Sequence, residues 1–323
     1  MKIVKSALTL LLIFLLVDTS ESQSREDVIA LFNEGFTLYN EDRDYLAAIE
    51  IFEKTIELAE QVGTEADDIR ERAAGQIPRL AFMHAAQLTR ERKLEEATDA
   101  FQVTIDYAEK YNDDQTLSTV RGNLPILYLN LGNQYYRDQQ NQEALEQYRK
   151  SLELNPAYVS AYYQKGLTYR RMGDLDTALE HFDTSIDLAR EAGDPENVER
   201  SQRAARDYLV FRASEFIEEE NYNRALDILN RAAEYGESLS LHYRFAEAYN
   251  YLERHSNALE SAQRALELEN GGQSDLARIY FELGQAYKGL DNVSAACDAF
   301  GNALFGDFRS PAEHEIEHEL NCN

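Results

Sequence analysis

The sequence predicts an all-α fold built from repeated pairs of helices. Two stretches of the chain carry the same sparse pattern, and their central alanines, Ala144 and Ala178, lie 34 residues apart. The aromatic and small residues of each stretch are spaced by three, four and seven positions, which places them on one face of a helix. A pattern that recurs at a fixed period of this length indicates a repeat architecture.

The repeated positions divide into small residues and aromatic residues. Small residues permit the close approach of two helices, whereas aromatic rings fill the wider gaps between them. Asn155 and Pro156 close the first stretch and predict that the next helix starts at Pro156, with Asn155 as its N-cap. The first stretch contains Tyr128, Leu131, Gly132, Tyr135, Ala144, Tyr148, Ser151 and Pro156, and the second contains Tyr162, Lys165, Gly166, Tyr169, Ala178, Phe182 and Ser185.

This pattern resembles the tetratricopeptide repeat (TPR), a helix–turn–helix unit with the same period. Weaker copies occupy the rest of the chain. The resemblance implies an α-solenoid, wound as a right-handed superhelix, of about seven repeats over residues 26–309. It also implies a concave groove that binds a protein or an extended peptide, rather than a closed active site. The seven repeats are centred on Ala48, Ala97, Ala144, Ala178, Ala225, Ala258 and Ala296.

The spacing of these seven alanines is irregular. The successive intervals are 49, 47, 34, 47, 33 and 38 residues, so three of them clearly exceed the period. The extra residues predict extended helices with short breaks at residues 62–64, 112–114 and 192–195. A charged amphipathic run from Glu196 to Arg206 follows the third break.

Residues 1–22 have the organisation of a signal peptide. Two lysines precede an apolar stretch from Ala7 to Val17, which is shorter than the roughly 20 residues that a membrane-spanning helix needs. Ser20 and Ser22 supply small residues at the positions that a signal peptidase reads. We therefore expect an exported bacterial protein, periplasmic or secreted. An uncleaved N-terminal anchor is the alternative.

The chain has two cysteines, Cys297 in the second helix of repeat seven and Cys322 near the last residue. Residues 310–323 predict a capping helix, with Ser310 as N-cap and Glu313 three residues later. In an oxidising compartment, a disulfide between the two cysteines would clamp this helix over the end of the array. The chain-entropy model gives such a clamp about 3 kcal/mol. Two buried free thiols are the alternative.

The acidic composition limits the classes of partner. A formal net charge of −27 excludes nucleic acid, because its binding depends on Lys and Arg side chains that neutralise phosphates. No stretch after the N-terminal segment has the length and hydropathy of a membrane span. The sequence also contains no Gly-rich phosphate loop and no other cofactor fingerprint, so we expect no cofactor.

Residues 314–318 read His-Glu-Ile-Glu-His and match the H-E-x-x-H pattern of zinc hydrolases. On a helix, His314 and His318 would share one face, and Glu315 would be placed as a base. A catalytic zinc needs a third protein ligand, and only a short tail follows the second histidine. We therefore expect a solvated helix face and no enzyme. A zinc-dependent hydrolase is the alternative, with the two histidines as weak metal candidates.

The first helix of each TPR lines the concave groove, and the register of this chain places tyrosines and arginines there. Rigid aromatic rings and guanidinium groups carry much of the energy at recognition surfaces. We expect repeats three and four to hold the ligand, with Arg170 on a carboxylate and Tyr136 and Tyr163 on apolar groups. Two alternatives remain open: arginines that balance neighbouring carboxylates beside aromatics that pack helix on helix, and a glycan ligand. The candidate groove residues are Asn133, Tyr136, Arg137, Tyr163, Arg170, Arg171, Tyr243 and Arg278.

Overall fold

A computed structural model describes residues 23–269 and 272–322, and the predicted signal peptide lies outside them. Over these ranges the chain forms helices and no β-strand, which confirms the all-α prediction. None of these helices is long and apolar enough to span a membrane. The α-helices are α1 (Arg25–Thr37), α2 (Tyr45–Val62), α3 (Asp67–Arg90), α4 (Leu94–Lys110), α5 (Asp114–Arg137), α6 (Asn141–Leu154), α7 (Val159–Met172), α8 (Leu175–Glu191), α9 (Pro195–Glu218), α10 (Tyr222–Ala233), α11 (Leu239–Tyr251), α12 (His255–Glu267), α13 (Gln273–Gly289), α14 (Val293–Asn302) and α15 (Arg309–His314).

Helices α1 to α14 form seven consecutive pairs, one for each predicted repeat, and α15 follows the last pair. The second helix of every pair carries the alanine on which the repeat is centred. All seven of these side chains are 0% exposed, as expected where two helices approach most closely: Ala48, Ala97, Ala144, Ala178, Ala225, Ala258 and Ala296.

The chain divides into two compact units, Met1–Leu124 and Pro125–Asn323, called unit 1 and unit 2 below. The described part of unit 1 buries an apolar core that includes Phe52, Ile77 and Leu80. Unit 2 buries several such clusters, of which the largest runs from α8 to α11. Each unit therefore has its own hydrophobic core.

Glycines of the first helix lie against aromatic rings of the second helix. A Cβ atom added at these glycines would meet the ring at a distance that real side chains do not reach, so only glycine fits. In unit 1 a Cβ atom added at Gly35 would lie 3.0 Å from the Phe52 ring, which is less tight. In unit 2 the added Cβ atom would lie 2.5 Å from the Tyr148 ring at Gly132, 2.6 Å from the Phe182 ring at Gly166 and 2.6 Å from the Phe300 ring at Gly284.

Three first helices, α3, α5 and α9, are 24 residues long and account for the irregular spacing. The breaks before them fall where the sequence predicts, at residues with positive φ: Gly63 at 90°, Asn112 at 54° and Gly193 at 66°. Before α9, the side chain of Asp194 accepts a hydrogen bond from the Asn197 backbone N–H, 3.1 Å away, and caps the helix.

The predicted start of α7 is wrong by three residues. The helix begins at Val159 rather than at Pro156. The Asn155 side chain accepts a hydrogen bond from the backbone N–H of Ala157, 3.2 Å away, and so stabilises a turn instead of a helix end. An Asn side chain that bonds two residues ahead favours such a turn over a cap.

The C-terminal segment packs on the last helix pair. It begins with α15 at Arg309, two residues earlier than predicted, so Ser310 lies inside the first turn and does not cap the helix. The helix then widens into a single π-helical turn over Glu315–Glu319. Ile316 and Leu320 pack against the apolar cluster that contains Phe300, which holds the segment on α13 and α14.

The two cysteines lie at the junction of this segment with α14. The sulfur atoms of Cys297 and Cys322 are at disulfide-bond distance, and the Cα atoms are 5.8 Å apart, within the usual range for a disulfide. The geometry therefore permits the pairing that the sequence predicts.

Candidate functional site

An open cavity of about 600 Å³ in unit 2 is lined by α7, α9 and the end of α5. Its volume lies within the range of ligand-binding clefts in proteins. The lining contains tyrosines, arginines and carboxylates around a small apolar floor: Tyr136, Tyr163, Leu167, Arg170, Glu196, Glu199, Arg200, Arg203, Ala204 and Asp207.

Helical spacing explains why these side chains converge. On α7, Tyr163, Leu167 and Arg170 are separated by four and three residues, so they share one helix face. On α9, the lining residues from Glu196 to Asp207 follow the same spacing. Because α9 is extended, its first turns form a wall that a helix of ordinary repeat length would not supply.

Both tyrosines of the cavity contact an arginine through their rings. The guanidinium carbon of Arg171 lies 3.3 Å from the ring centroid of Tyr136, and Arg171 also donates a hydrogen bond to the Tyr136 carbonyl. The guanidinium carbon of Arg200 lies 4.2 Å from the Tyr163 centroid. Such cation–π contacts hold both partners in place, by about 0.5–1 kcal/mol at exposed sites. The cavity therefore presents pre-positioned side chains.

The arginines of the cavity differ in their ion pairs. Arg203 pairs with Glu199 on the same helix. Arg170 and Arg200 form no ion pair with any residue that the structure describes, and the charge of Arg200 contributes to the lowered pKa of Asp194. A guanidinium without a carboxylate partner can bind a ligand carboxylate through two parallel hydrogen bonds. In a protein with a net charge of −27, two such groups in one cavity are a distinctive feature.

The predicted groove residues of repeats three and four fall into two groups. Tyr136, Tyr163 and Arg170 line the cavity together. Arg171 is held against the first of these tyrosines, and its hydrogen bonds go to that residue and to Asn141. Arg137 is exposed at the end of α5, outside the lining.

Asn133 has a structural contact within its own repeat. Its Oδ1 atom accepts a hydrogen bond from the hydroxyl of Tyr148 at 2.9 Å. This bond joins the two helices of repeat three, and Tyr148 is fully buried. Asn133 is also absent from the cavity lining, so its amide supports the helix pair.

Tyr243 and Arg278, the remaining groove candidates, contact each other through a cation–π interaction. Tyr243 is only 6% exposed, and the guanidinium carbons of Arg244 and Arg278 lie 5.1 and 4.9 Å from its ring centroid. Arg278 is also paired with Asp275 at 2.6 Å. The Tyr243 ring therefore offers almost no free surface, and neither candidate lines the cavity of repeats three and four.

A buried carboxyl group lies near these residues. Glu282 on α13 is 7% exposed, and its Oε2 atom accepts a hydrogen bond from the Asn250 side chain at 2.8 Å. Burial raises the pKa of Glu282 to about 8, against the lowering effect of this hydrogen bond, so the group is largely protonated at neutral pH. Nothing in the repeat pattern distinguishes this glutamate from an exposed one.

The sequence interpretation missed the contribution of α9 to the cavity. Glu196, Glu199, Arg200 and Arg203 belong to the third insertion, which lies outside the numbered positions of the repeat, and Asp207 follows it. The available signal is the charged amphipathic run from Glu196 to Arg206. Its spacing of three and four residues predicts one polar face, but its direction in space depends on the preceding break at Gly193.

In the His-Glu-Ile-Glu-His string, the first glutamate, Glu315, has a structural role. Glu315 accepts hydrogen bonds from Gln285 at 2.9 Å and from Lys288 at 2.6 Å, so it ties the C-terminal segment to α13. The rings of His314 and His318 are 5.2 Å apart. Within residues 23–269 and 272–322, no group of three or more His, Cys, Asp or Glu side chains could hold a metal ion.

Comparisons with known proteins agree with this architecture. Two family profiles match the chain, "TPR repeat" over residues 132–173 and "Tetratricopeptide repeat" over residues 159–191. Among curated proteins, human "Tetratricopeptide repeat protein 6" is 25% identical over 182 residues, which are 55% of this chain and 31% of that protein. A peptide N-acetylglucosaminyltransferase of Giardia intestinalis is 34% identical over 70 residues, 22% of this chain and 4% of that protein. The chain thus spans less than a third of either relative.

Solved structures with a similar fold include MamA from Desulfovibrio magneticus RS-1, at 19% identity and a TM-score of 0.38, covering 56% of this chain and 93% of that one. YrrB, described as a TPR protein with an unusual peptide-binding site, is 22% identical with a TM-score of 0.35, covering 60% of this chain and 88% of that one. The profile matches show that the chain contains tetratricopeptide repeats over residues 132–191, and the repeated pattern with buried alanines at its centres extends on both sides of them.

Proposed function

We propose that the chain is a non-catalytic scaffold that binds an extended, mildly acidic segment of a partner protein. The cavity lined by α7, α9 and the end of α5 is the centre of the site. TPR folds serve as protein-interaction scaffolds, which supports the general class. The observation that carries the specific proposal is the presence of two arginines without ion pairs, Arg170 and Arg200, beside two oriented tyrosines in one cavity.

The chemistry of the cavity suits a short peptide stretch of mixed character. A ligand carboxylate would bind Arg170 or Arg200 through charge-assisted hydrogen bonds. An apolar or planar side chain beside it would pack on Tyr136, Tyr163 and Leu167. The acid residues of α9 would repel a ligand of high negative charge, so one or two carboxylates per segment fit best.

We also propose that the scaffold acts outside the cytoplasm, in the periplasm or after secretion. The support is the signal-like residues 1–22 and a cysteine pair at disulfide distance, which oxidising compartments favour. Cell fractionation with N-terminal sequencing checks this. The expected result is an exported form whose first residue follows Ser22, and a cytoplasmic chain that keeps Met1 would contradict it.

Selection of a random-peptide display library on the full chain tests the site. We expect the selected peptides to combine a carboxylate with apolar or aromatic residues. Arg170→Ala should weaken their binding about tenfold, as loss of a charged contact at an interface does. Arg190→Ala is the matched control, because Arg190 is an exposed arginine on α8 that pairs with Asp187 and lies outside the cavity.

Two outcomes of this selection would count against the proposal. Peptides that bind Arg170→Ala and the parent chain equally tightly would place the contact elsewhere. Peptides that are basic, or that are lost equally with Arg190→Ala, would show that the cavity arginines do not select the ligand.

A further inference from the structure

A second cavity, of about 370 Å³, lies in unit 1 on the surface formed by α2, α3 and α4, and is called the α2–α4 groove below. Its position is independent of the site proposed above. The lining is mainly apolar with two carboxylates: Leu46, Ile49, Ala81, His84, Leu88, Glu96, Asp99, Ala100, Val103 and Tyr107.

The groove has a buried floor and exposed apolar walls. Ala81 and Leu88 of α3 form the floor and are almost completely buried. Leu46 on α2 and Val103 on α4 form opposite walls, and they are 57% and 48% exposed. Covering such side chains is favourable by about 25 cal/mol for each Å² removed from water. The free groove therefore has apolar surface that a ligand could cover.

The groove lies on a different face of α3 from another cavity of unit 1. Ala81, His84 and Leu88 are spaced by three and four residues and line the α2–α4 groove. Gly75, Arg79 and Phe82 line a separate cavity of unit 1. Because successive residues of a helix are rotated by about 100°, these two sets point to opposite sides of α3.

The two carboxylates that line the groove make its rim acidic, and the charge of Lys93 lies near Glu96. Glu96 and Asp99 are exposed and form no ion pair with a residue that the structure describes. At the other end, the Tyr107 hydroxyl donates a hydrogen bond to Glu53 at 3.1 Å. Burial, together with the charge of Glu53, raises the pKa of Tyr107 to about 12, so this hydroxyl stays protonated. An occupant that complements the rim therefore carries positive charge.

The shape of the groove suits a helix as occupant. Two helices form the walls and a third forms the floor, and the α4 wall residues Glu96, Ala100, Val103 and Tyr107 follow a helical stripe. An amphipathic helix lies in such a groove with apolar anchors spaced by three and four residues. A second copy of this chain, with a net charge of −27, does not complement an acidic rim.

We propose that the α2–α4 groove docks a basic amphipathic helix of a partner protein. Apolar side chains of that helix insert between Leu46 and Val103. Its Lys or Arg side chains lie beside Glu96 and Asp99. The partner chemistry is thus opposite in charge to the segment proposed for the cavity of unit 2.

Fluorescence anisotropy with two synthetic amphipathic helices tests this docking on the full chain. The probes are a leucine–lysine peptide and a leucine–glutamate peptide of the same pattern. We expect the lysine peptide to bind, and Val103→Glu to weaken that binding at least about tenfold. Val293→Glu is the matched control, because Val293 on α14 is 49% exposed and lies outside the groove.

Charge reversal at the rim separates docking from general attraction to an acidic protein. The double variant Glu96→Lys, Asp99→Lys should bind the lysine peptide more weakly than the parent chain does and the glutamate peptide more tightly. Three results would overturn the proposal: no binding of the lysine peptide, equal weakening by Val293→Glu and Val103→Glu, or no response to the charge reversal. All four positions are exposed, so far-UV spectra of the variants should match the parent chain.

Discussion

The α2–α4 groove of unit 1 has a counterpart in unit 2, a cavity of about 560 Å³ between α10, α11 and α12. Each has a floor from the first helix of a pair and walls from second helices. In unit 1 the walls expose Leu46 and Val103, whereas the α12 wall in unit 2 carries Asn257, Glu260 and Arg264. Equivalent places in the repeat thus carry opposite surface chemistry.

This difference shows what the repeat pattern constrains. The alanines at the repeat centres are fully buried in both units, because two helices can approach there only over a small side chain. The wall positions face solvent, and many side chains satisfy the fold there. The chemistry of the exposed walls therefore varies from repeat to repeat, and each surface has to be tested by itself.

The largest expected difference between the units is in the pH dependence of stability. Among the described residues, the buried polar side chains of unit 1 are Thr55 and Thr104, which bond to carbonyls of their own helices. Unit 2 buries Glu282, whose pKa rises from 4.5 to about 8 on folding. The folded state then binds this proton more tightly, so its stabilisation is present below pH 4.5 and is lost as the pH rises towards 8.

Glu282→Gln should remove this pH dependence, because the amide mimics the protonated carboxyl. Between pH 5 and pH 8 the parent chain should lose up to about 1.4 kcal/mol of unfolding free energy per pH unit through this group. Urea denaturation at several pH values measures it, with the exposed Glu219→Gln as control. Equal pH slopes for Glu282→Gln and the parent chain would show that the carboxyl is not buried in its neutral form.

The ends of the units differ in the way that they are held. The described part of unit 1 begins with a capping box, in which Ser24 and Asp27 exchange hydrogen bonds. Unit 2 ends with Cys297 and Cys322 at bonding distance. Under oxidising conditions Cys322→Ser should lower the unfolding free energy by about 3 kcal/mol, more than Ser24→Ala does. The difference should vanish after reduction. No loss under oxidising conditions, or two alkylatable thiols in exported material, would contradict the clamp.

The smallest expected difference between the units is the effect of a glycine-to-alanine substitution on stability. Gly166→Ala forces a Cβ atom against the Phe182 ring and should destabilise the chain by about 1–3 kcal/mol. Gly75→Ala, in an exposed part of α3 with open space around the new atom, should stabilise it by about 0.5–1 kcal/mol. Chemical denaturation compares the two variants. If both substitutions changed the unfolding free energy in the same direction, the close contact with the Phe182 ring would not be what restricts residue 166 to glycine.

Much of the fold could be predicted from the sequence because its determinants are local and periodic. The buried alanines and the breaks at Gly63 and Gly193 follow from spacing and backbone preference. The start of α7 could not, since the Asn155 side chain had two competing uses, as a helix cap or in a turn. The choice between them is decided by the neighbouring chain.

The candidate site was only partly predictable. The register assigns Tyr136, Tyr163 and Arg170 to one predicted groove, and in the structure these three residues line one cavity. It could not show that Tyr243 is covered by arginines, because that burial depends on a side chain from the next repeat. Arg200 lies in an insertion outside the repeat numbering, so its place in the cavity required the three-dimensional structure.

The most direct test of the central claim uses a single fluorescent side chain in the cavity. The chain contains no tryptophan, so Tyr163→Trp reports only on this site. Adding a peptide chosen by the display selection should change its emission saturably, and the change should disappear when Arg170→Ala is added. The emission of Tyr280→Trp, at a half-buried position on α13, should not change when the peptide is added. An emission change in Tyr280→Trp and none in Tyr163→Trp would contradict the assignment of the cavity as the binding site.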